Sequence, residues 1–141
     1  VLGIREAIKE AGLAPDTLQL IETPYGIENG AQAFHEFMHR PQKPTVIMCG
    51  NYVLAIGALQ CAKKMGLRVP EEISITGFDE IELATIAAPV LTTVDVPHRA
   101  MGKQAAQMLL YMVNGSPPVK SVELKTWLCI RDSLGPPSSM T

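Results

Sequence analysis

The sequence predicts an α/β fold, a mostly parallel sheet with helices on both faces. Three observations predict it. Helical and strand patterns alternate through the first half of the chain. The run Thr45-Val46-Ile47-Met48-Cys49 is almost continuously apolar, as a strand covered on both faces should be. Helical stretches stop at Gly12 and Gly66, the residue type that closes a helix in the left-handed conformation.

Each element follows from local pattern. Residues 2–11 read as a helix with Ile4, Ala7, Ile8 and Ala11 along one stripe. Residues 18–21 read as a short strand. Residues 28–38 read as a second helix, with Ala33, Phe34, Phe37 and Met38 inward; Pro41 and Pro44 punctuate the segment after it. After the strand at 45–49, Asn51 can cap a helix that runs to Met65. Residues 73–78 form another strand. This βαβ order implies parallel strands. The last third holds a β-rich run at 91–96 ended by Pro97, then a helix over 99–112. That helix carries Met101, Ala105, Met108, Leu109 and Met112 on one face. A turn at 115–118, an alternating strand over 122–130 and a tail at 135–139 complete the chain.

Composition narrows the function. Hydrophobic residues make up 47% and charged residues 18% of 141, the balance of a globular domain with one core. No apolar run is long enough to cross a membrane. No signal-peptide pattern opens the sequence, which begins inside a helix, as a fragment would. The net charge is −2, and the 12 basic residues are spread among 14 acidic ones. Without a basic patch, these residues are not expected to grip DNA themselves, nor a membrane surface. Cys49, Cys61 and Cys129 fit neither a zinc site nor a redox pair and are expected as free thiols of a reducing cytoplasm. His35 and His39 could share a metal by spacing, but no acidic or thiol partner is evident, so a solvated helix face is expected. No metal and no cofactor are expected. No dinucleotide fingerprint, P-loop or nucleophile elbow occurs, so catalysis is not expected either.

In folds of this class ligands sit beyond the carboxyl ends of the strands. Tyr25, Asn51 and Asp79 each follow a predicted strand. The Asp79 carboxylate can accept two hydroxyl hydrogen bonds, which suits a sugar diol; the alternative is a turn residue or the cap of a helix beginning near Ile81. The Asn51 amide offers both donor and acceptor; the alternative, a plain helix cap, is compatible. Tyr25 offers an aromatic platform to the C–H face of a sugar; the alternative is a half-exposed loop tyrosine between Pro24 and Gly26. The acidic cluster Asp79, Glu80 and Glu82 reads as a solvated loop rather than a metal site, and Trp127 as a core or subunit contact.

Several phrases stand in order and at fitting spacing. They are Pro44 to Asn51, Leu54 to Leu59, Gly66 to Ile75, Gly77-Phe78-Asp79-Glu80, Leu91 to Val94, Pro97, Met101-Gly102 and Trp127 to Ser133. Together they resemble the lactose-repressor/galactose-repressor (LacI/GalR) family of bacterial regulators. The resemblance implies a two-lobed sensor related to type I periplasmic sugar-binding proteins, with a ligand cleft between the lobes. By it, residues 1–96 are the C-terminal lobe with a truncated first helix, and 97–125 are a crossing segment and a helix of a partial N-terminal lobe. Residues 126–141 are then the returning strand and tail. The family places an Asp in the cleft at Asp79 and often an aromatic near Tyr25; Tyr52 stands where it commonly has Asp. The family also implies a homodimer with Ile56 and Ala87 at the contact; for Ile56 the alternative is an ordinary core side chain. The expected function is the effector-sensing and dimerisation portion of a cytoplasmic transcription regulator. It would bind a sugar or similar small polar molecule, and read operator DNA only through a separate N-terminal head. The alternative is a periplasmic-type sugar-binding transport receptor.

Overall fold

The computed structural model describes residues 1–79, 88–115, 117 and 120–136. The expectations at Ala87, at the helix near Ile81 and for Glu80 and Glu82 lie outside the described residues. The elements are α1 (Leu2–Glu10), a 3-10 turn (Pro15–Thr17), α2 (Ile27–Met38), β1 (Val46–Met48), α3 (Tyr52–Lys64), β2 (Ser74–Thr76), β3 (Thr93–Asp95), α4 (His98–Val113) and β4 (Trp127–Cys129).

Local chemistry explains the helix limits. The Asn51 side chain accepts a hydrogen bond from Leu54 N at 2.9 Å and so starts α3. Lys63 and Lys64 lie in its last turn, where cations suit the helix dipole, and Gly66 follows with φ 73°. Gly12 closes α1 in the same way, with φ 68°.

β1 and β2 pair in parallel, Val46 opposite Ser74 and Met48 opposite Thr76. An isolated parallel bridge joins Thr76 to Thr92, so the chain entering β3 runs beside β2. β3 and β4 pair antiparallel, Thr93 opposite Cys129 and Asp95 opposite Trp127. Ser133 knits these pieces together and is fully buried. Its N–H donates to Val90 O at 3.1 Å and its carbonyl accepts from Ile75 N at 2.9 Å. Its hydroxyl donates to Ile75 O at 2.6 Å and accepts from Thr92 N at 2.8 Å.

The core lies among α2, α3, β1 and β2. Phe34 and Met38 of α2 meet Ile47, Ile75 and the small residues Ala55, Ala58 and Ala62 of α3. Small residues are required there because the helix backbones nearly touch. A Cβ added at Gly57 would fall on the Ile27 carbonyl and within 2.8 Å of Ala31 N. One added at Gly30 would collide with the Leu54 carbonyl and lie 2.7 Å from Leu54 Cα.

Several expectations differ from the structure. Residues 18–21 belong to no ladder. Their hold comes from a side chain: Gln19 Nε2 donates to Gln42 O at 2.7 Å and Gln19 Oε1 accepts from Arg40 at 3.2 Å. β1 is covered on one face only, with Ile47 buried while Val46 and Met48 are 44% and 60% exposed. Of the α1 stripe, Ile4 and Ile8 are half-buried and Ala7 and Ala11 exposed. The strand expected over 122–130 is confined to β4, because β3 offers only three partners before Pro97 and α4. Trp127 is half-exposed rather than core. α4 forms, yet Met101, Leu109 and Met112 of its apolar stripe are exposed and Met108 is half-buried.

The glycine contact is testable by paired substitutions. Gly57→Ala forces α2 and α3 apart and should lower stability by about 1–3 kcal/mol in urea unfolding. Gly102→Ala, in α4 with open space around it, should be neutral or add about 0.5–1 kcal/mol through helix propensity. Equal effects at the two sites would show that α2 and α3 do not pack this closely.

Candidate functional site

Register sets what meets at the carboxyl end of the sheet. Met48 lies opposite Thr76, and Thr76 opposite Thr92. Asn51, Asp79 and Asp95 are each three residues beyond one member of this row. Three chains that run the same way past this row place Asn51 and Asp79 in the turns after β1 and β2, and Asp95 at the end of β3.

Asn51 is buried, 3% exposed, at the turn from β1 into α3. Its Oδ1 is committed to the cap bond with Leu54 N. Its Nδ2 is then the group that can donate to a ligand oxygen. Asp79 follows β2 with φ 65°, in the left-handed region that a non-glycine residue seldom adopts. Asp tolerates this better than most side chains, and the residual strain fits a position where side-chain chemistry overrides backbone preference. Asp79 Oδ1 lies 3.5 Å from Nε2 of His98, the first residue of α4. Both are partly exposed, so the pair contributes little to stability.

Tyr25 stands apart. It is 76% exposed in the loop before α2, and its carbonyl accepts from Asn29 Nδ2 at 2.9 Å. Among the described residues no hydrogen bond joins it to Asn51 or Asp79. Sequence reasoning passed over Asp95 and His98. No local sequence signal marks Asp95, because its offset is counted from Thr92, whose pairing with Thr76 joins distant segments. The signal for His98 was its place directly after the proline that ends the crossing strand.

The other candidate groups lead elsewhere. The His35 and His39 rings stack at 4.0 Å between centroids, and His39 Nδ1 lies 2.8 Å from the His35 carbonyl. Among the described residues no group of three or more His, Cys, Asp or Glu side chains could hold a metal ion. Cys49, Cys61 and Cys129 form no disulfide among the described residues. Burial pushes the Cys49 thiol up to about 12, so it is neutral and unreactive near neutral pH. A cavity of about 70 Å³ beneath the end of β1, walled by Phe34, Cys49 and Leu54 among others, is too small for a sugar. The strand-end groups are hydrogen-bond acceptors with an amide and an imidazole, a set that matches a hydroxylated ligand.

A family model described as a periplasmic binding protein-like domain matches residues 2–134. The chain is 35% identical over 133 residues to an HTH-type transcriptional repressor PurR of Photorhabdus laumondii, covering 94% of this chain and 39% of that protein. It is 36% identical over 113 residues to the HTH-type transcriptional repressor CytR of Escherichia coli, covering 80% of this chain and 33% of that protein. Among solved structures, it is similar to a LacI family transcriptional regulator from Bifidobacterium animalis subsp. lactis. That match has a TM-score of 0.86 at 28% identity, over 94% of this chain and 48% of the other. It is also similar to a LacI family transcriptional regulator from Enterococcus faecium with bound ribose. There the TM-score is 0.83 at 28% identity, over 95% of this chain and 50% of the other. The chain thus spans half or less of each protein it resembles. No described helix is long and apolar enough to cross a membrane.

The raised Cys49 pKa makes a pH-dependent prediction. Between about pH 9 and 12 the unfolded chain binds fewer protons than the folded one, so stability falls as pH rises through that window, by up to about 1.4 kcal/mol per pH unit. Cys49→Ser should flatten this slope in urea titrations at pH 8 to 10.5. In the native protein Cys49 should also resist iodoacetamide at pH 8 and react once urea unfolds the chain.

Proposed function

The chain belongs to the periplasmic binding protein-like domain family, and from that premise we propose that it is the effector-sensing and dimerisation part of a LacI-type transcription regulator. The observation that carries this reading is the placement of Asn51 and Asp79 just past the parallel strands β1 and β2, with Asp95 ending β3 and His98 against Asp79. A sugar or similar polyhydroxylated molecule fits it, because carboxylates accept hydroxyl protons while the Asn51 amide donates to a ring or hydroxyl oxygen. The repressor names of the relatives favour a regulator over a transport receptor of similar fold. The ribose in the Enterococcus faecium neighbour favours a sugar as effector. The same relatives are named as repressors, which favours a sensing role over catalysis.

In this reading residues 1–96 form one lobe, 97–125 cross into a second, and 126–141 return. Tyr25, on its exposed loop, supplies an aromatic face to the ligand. Operator DNA is read by a head outside these residues, and the cleft is completed by chain that the longer relatives possess. Dimerisation runs through α3, where Ile56 is half-buried against the core, and through Ala87.

Two measurements test the reading on the full regulator. Calorimetry with ribose and other pentoses should show Asp79→Ala weakening the best ligand by about 10- to 100-fold, the loss of a charged hydrogen-bond acceptor worth roughly 1.5–3 kcal/mol. Unchanged affinity removes Asp79 from the site. Ile56→Lys should give folded monomers in light scattering with unaltered circular dichroism. Unfolding instead would return Ile56 to the core.

A further inference from the structure

α2 closes on two histidines one turn apart. His35 and His39 are both exposed. A spacing of four residues sets them on one face of the helix. Their ring centroids lie 4.0 Å apart, with 30° between the ring planes. That face is fixed from beneath, because Phe34 and Met38, the residues just before each histidine, are buried in the core.

The last turn of α2 holds one ring in a definite way. The His39 N–H bonds to Glu36 O at 3.1 Å, the tighter 3-10 pattern that often ends a helix. The His35 carbonyl takes the His39 ring instead, with Nδ1 at 2.8 Å. A carbonyl only accepts, so Nδ1 carries the hydrogen, and in the neutral ring Nε2 is left with its lone pair. A metal-bound imidazole is usually oriented in this manner, its second nitrogen donating to a backbone carbonyl or a carboxylate. The neighbouring charges are occupied with each other. Arg40 pairs with Glu36 at 2.6 Å, and its guanidinium lies 4.9 Å from the centre of the Phe37 ring. The carbonyls that end a helix add partial negative charge beside the pair, which favours a cation there.

We propose that His35 and His39 form a two-imidazole chelate for a late first-row transition-metal dication, the class of Ni2+, Cu2+ and Zn2+. Imidazole nitrogen suits these metals. Two such nitrogens on one metal, each at about 2.0–2.1 Å, stand about 3 Å apart when adjacent. Rings with centroids 4.0 Å apart reach that span by tilting. Among the described residues no third His, Cys, Asp or Glu side chain joins the pair. Water therefore fills the other positions, and the site is open rather than a closed structural centre. It stands where the chain leaves α2 for the start of β1, whereas Asn51 follows the end of β1. Metal and effector would thus occupy separate places.

The test uses Ni2+ and the 141-residue chain without an added histidine tag; its histidines are His35, His39 and His98. In calorimetry His35→Gln and His39→Gln should each weaken Ni2+ binding by about 10- to 100-fold, and the double variant no further, because a chelate is lost with either arm. Adding Gln32→His to His35→Gln restores the number of histidines but sets them seven residues apart, and should not restore affinity. With Zn2+, the ring-proton NMR signals of His35 and His39 should shift together along one binding curve. The three substituted positions are exposed, so circular dichroism should be unaltered in every variant. Unchanged Ni2+ affinity, small additive losses from the two single variants, recovery through Gln32→His, or separate Zn2+ curves for the two rings would overturn the proposal.

Discussion

The backbone contact between α2 and α3 governs the rest of the fold. Gly30 lies against the Leu54 carbonyl and Gly57 against the Ile27 carbonyl, so each helix gives one glycine to the other's main chain. A glycine inside a helix costs about 1 kcal/mol relative to alanine, and it is retained here because no Cβ fits. The close approach brings Phe34 and Met38 onto the Ala55, Ala58 and Ala62 face. It also sets where α3 begins over the sheet. Asn51, capping that start while buried, is consequently held by packing as well as by its own hydrogen bond.

A second constraint acts on the opposite side of β2. Ser133 bonds to Val90, Thr92 and Ile75 at once. Arg131 adds to this: its guanidinium donates to Leu91 O at 2.8 Å, and its N–H to Thr92 Oγ1 at 2.8 Å. These bonds fix the register in which residues 90–93 run beside β2. Register then carries His98 to within 3.5 Å of Asp79. Ser133 has no charge and no motif to mark it, yet removing its hydroxyl would leave a buried amide and a carbonyl unpaired, the costly case for buried polar groups.

The features legible in the sequence are those set by local chemistry. The Asn51 cap, the closing glycines at 12 and 66 and the inward face of α2 all depend on residues a few positions apart. Asn51 and Asp79 could be singled out because a βα turn is itself local. Asp95 and His98 escaped because their placement depends on Thr92 pairing with Thr76, a contact between distant segments. The strand expected at 18–21 has the right pattern, but a strand exists only with a neighbour, and periodicity does not supply one. The stripe on α4 shows the same limit: Met101, Leu109 and Met112 are spaced for burial, and their exposure depends on what else is present. Gly30 and Gly57 did carry a signal, as helix-interior glycines with no turn to explain them.

The finished and unfinished surfaces are segregated. The centre, made of α2, α3, β1's Ile47 side and β2, is closed and well packed. The outer edge of β1, the stripe of α4 and the half-exposed β4 are open. Asn51 and Asp79 grow from the closed part, whereas His98 begins the helix that the closed part does not cover. One side of the Asp79–His98 pair therefore grows from a packed core, and the other from an element whose apolar stripe is exposed. That division arises from where apolar burial is complete and where it is not, before any ligand is considered.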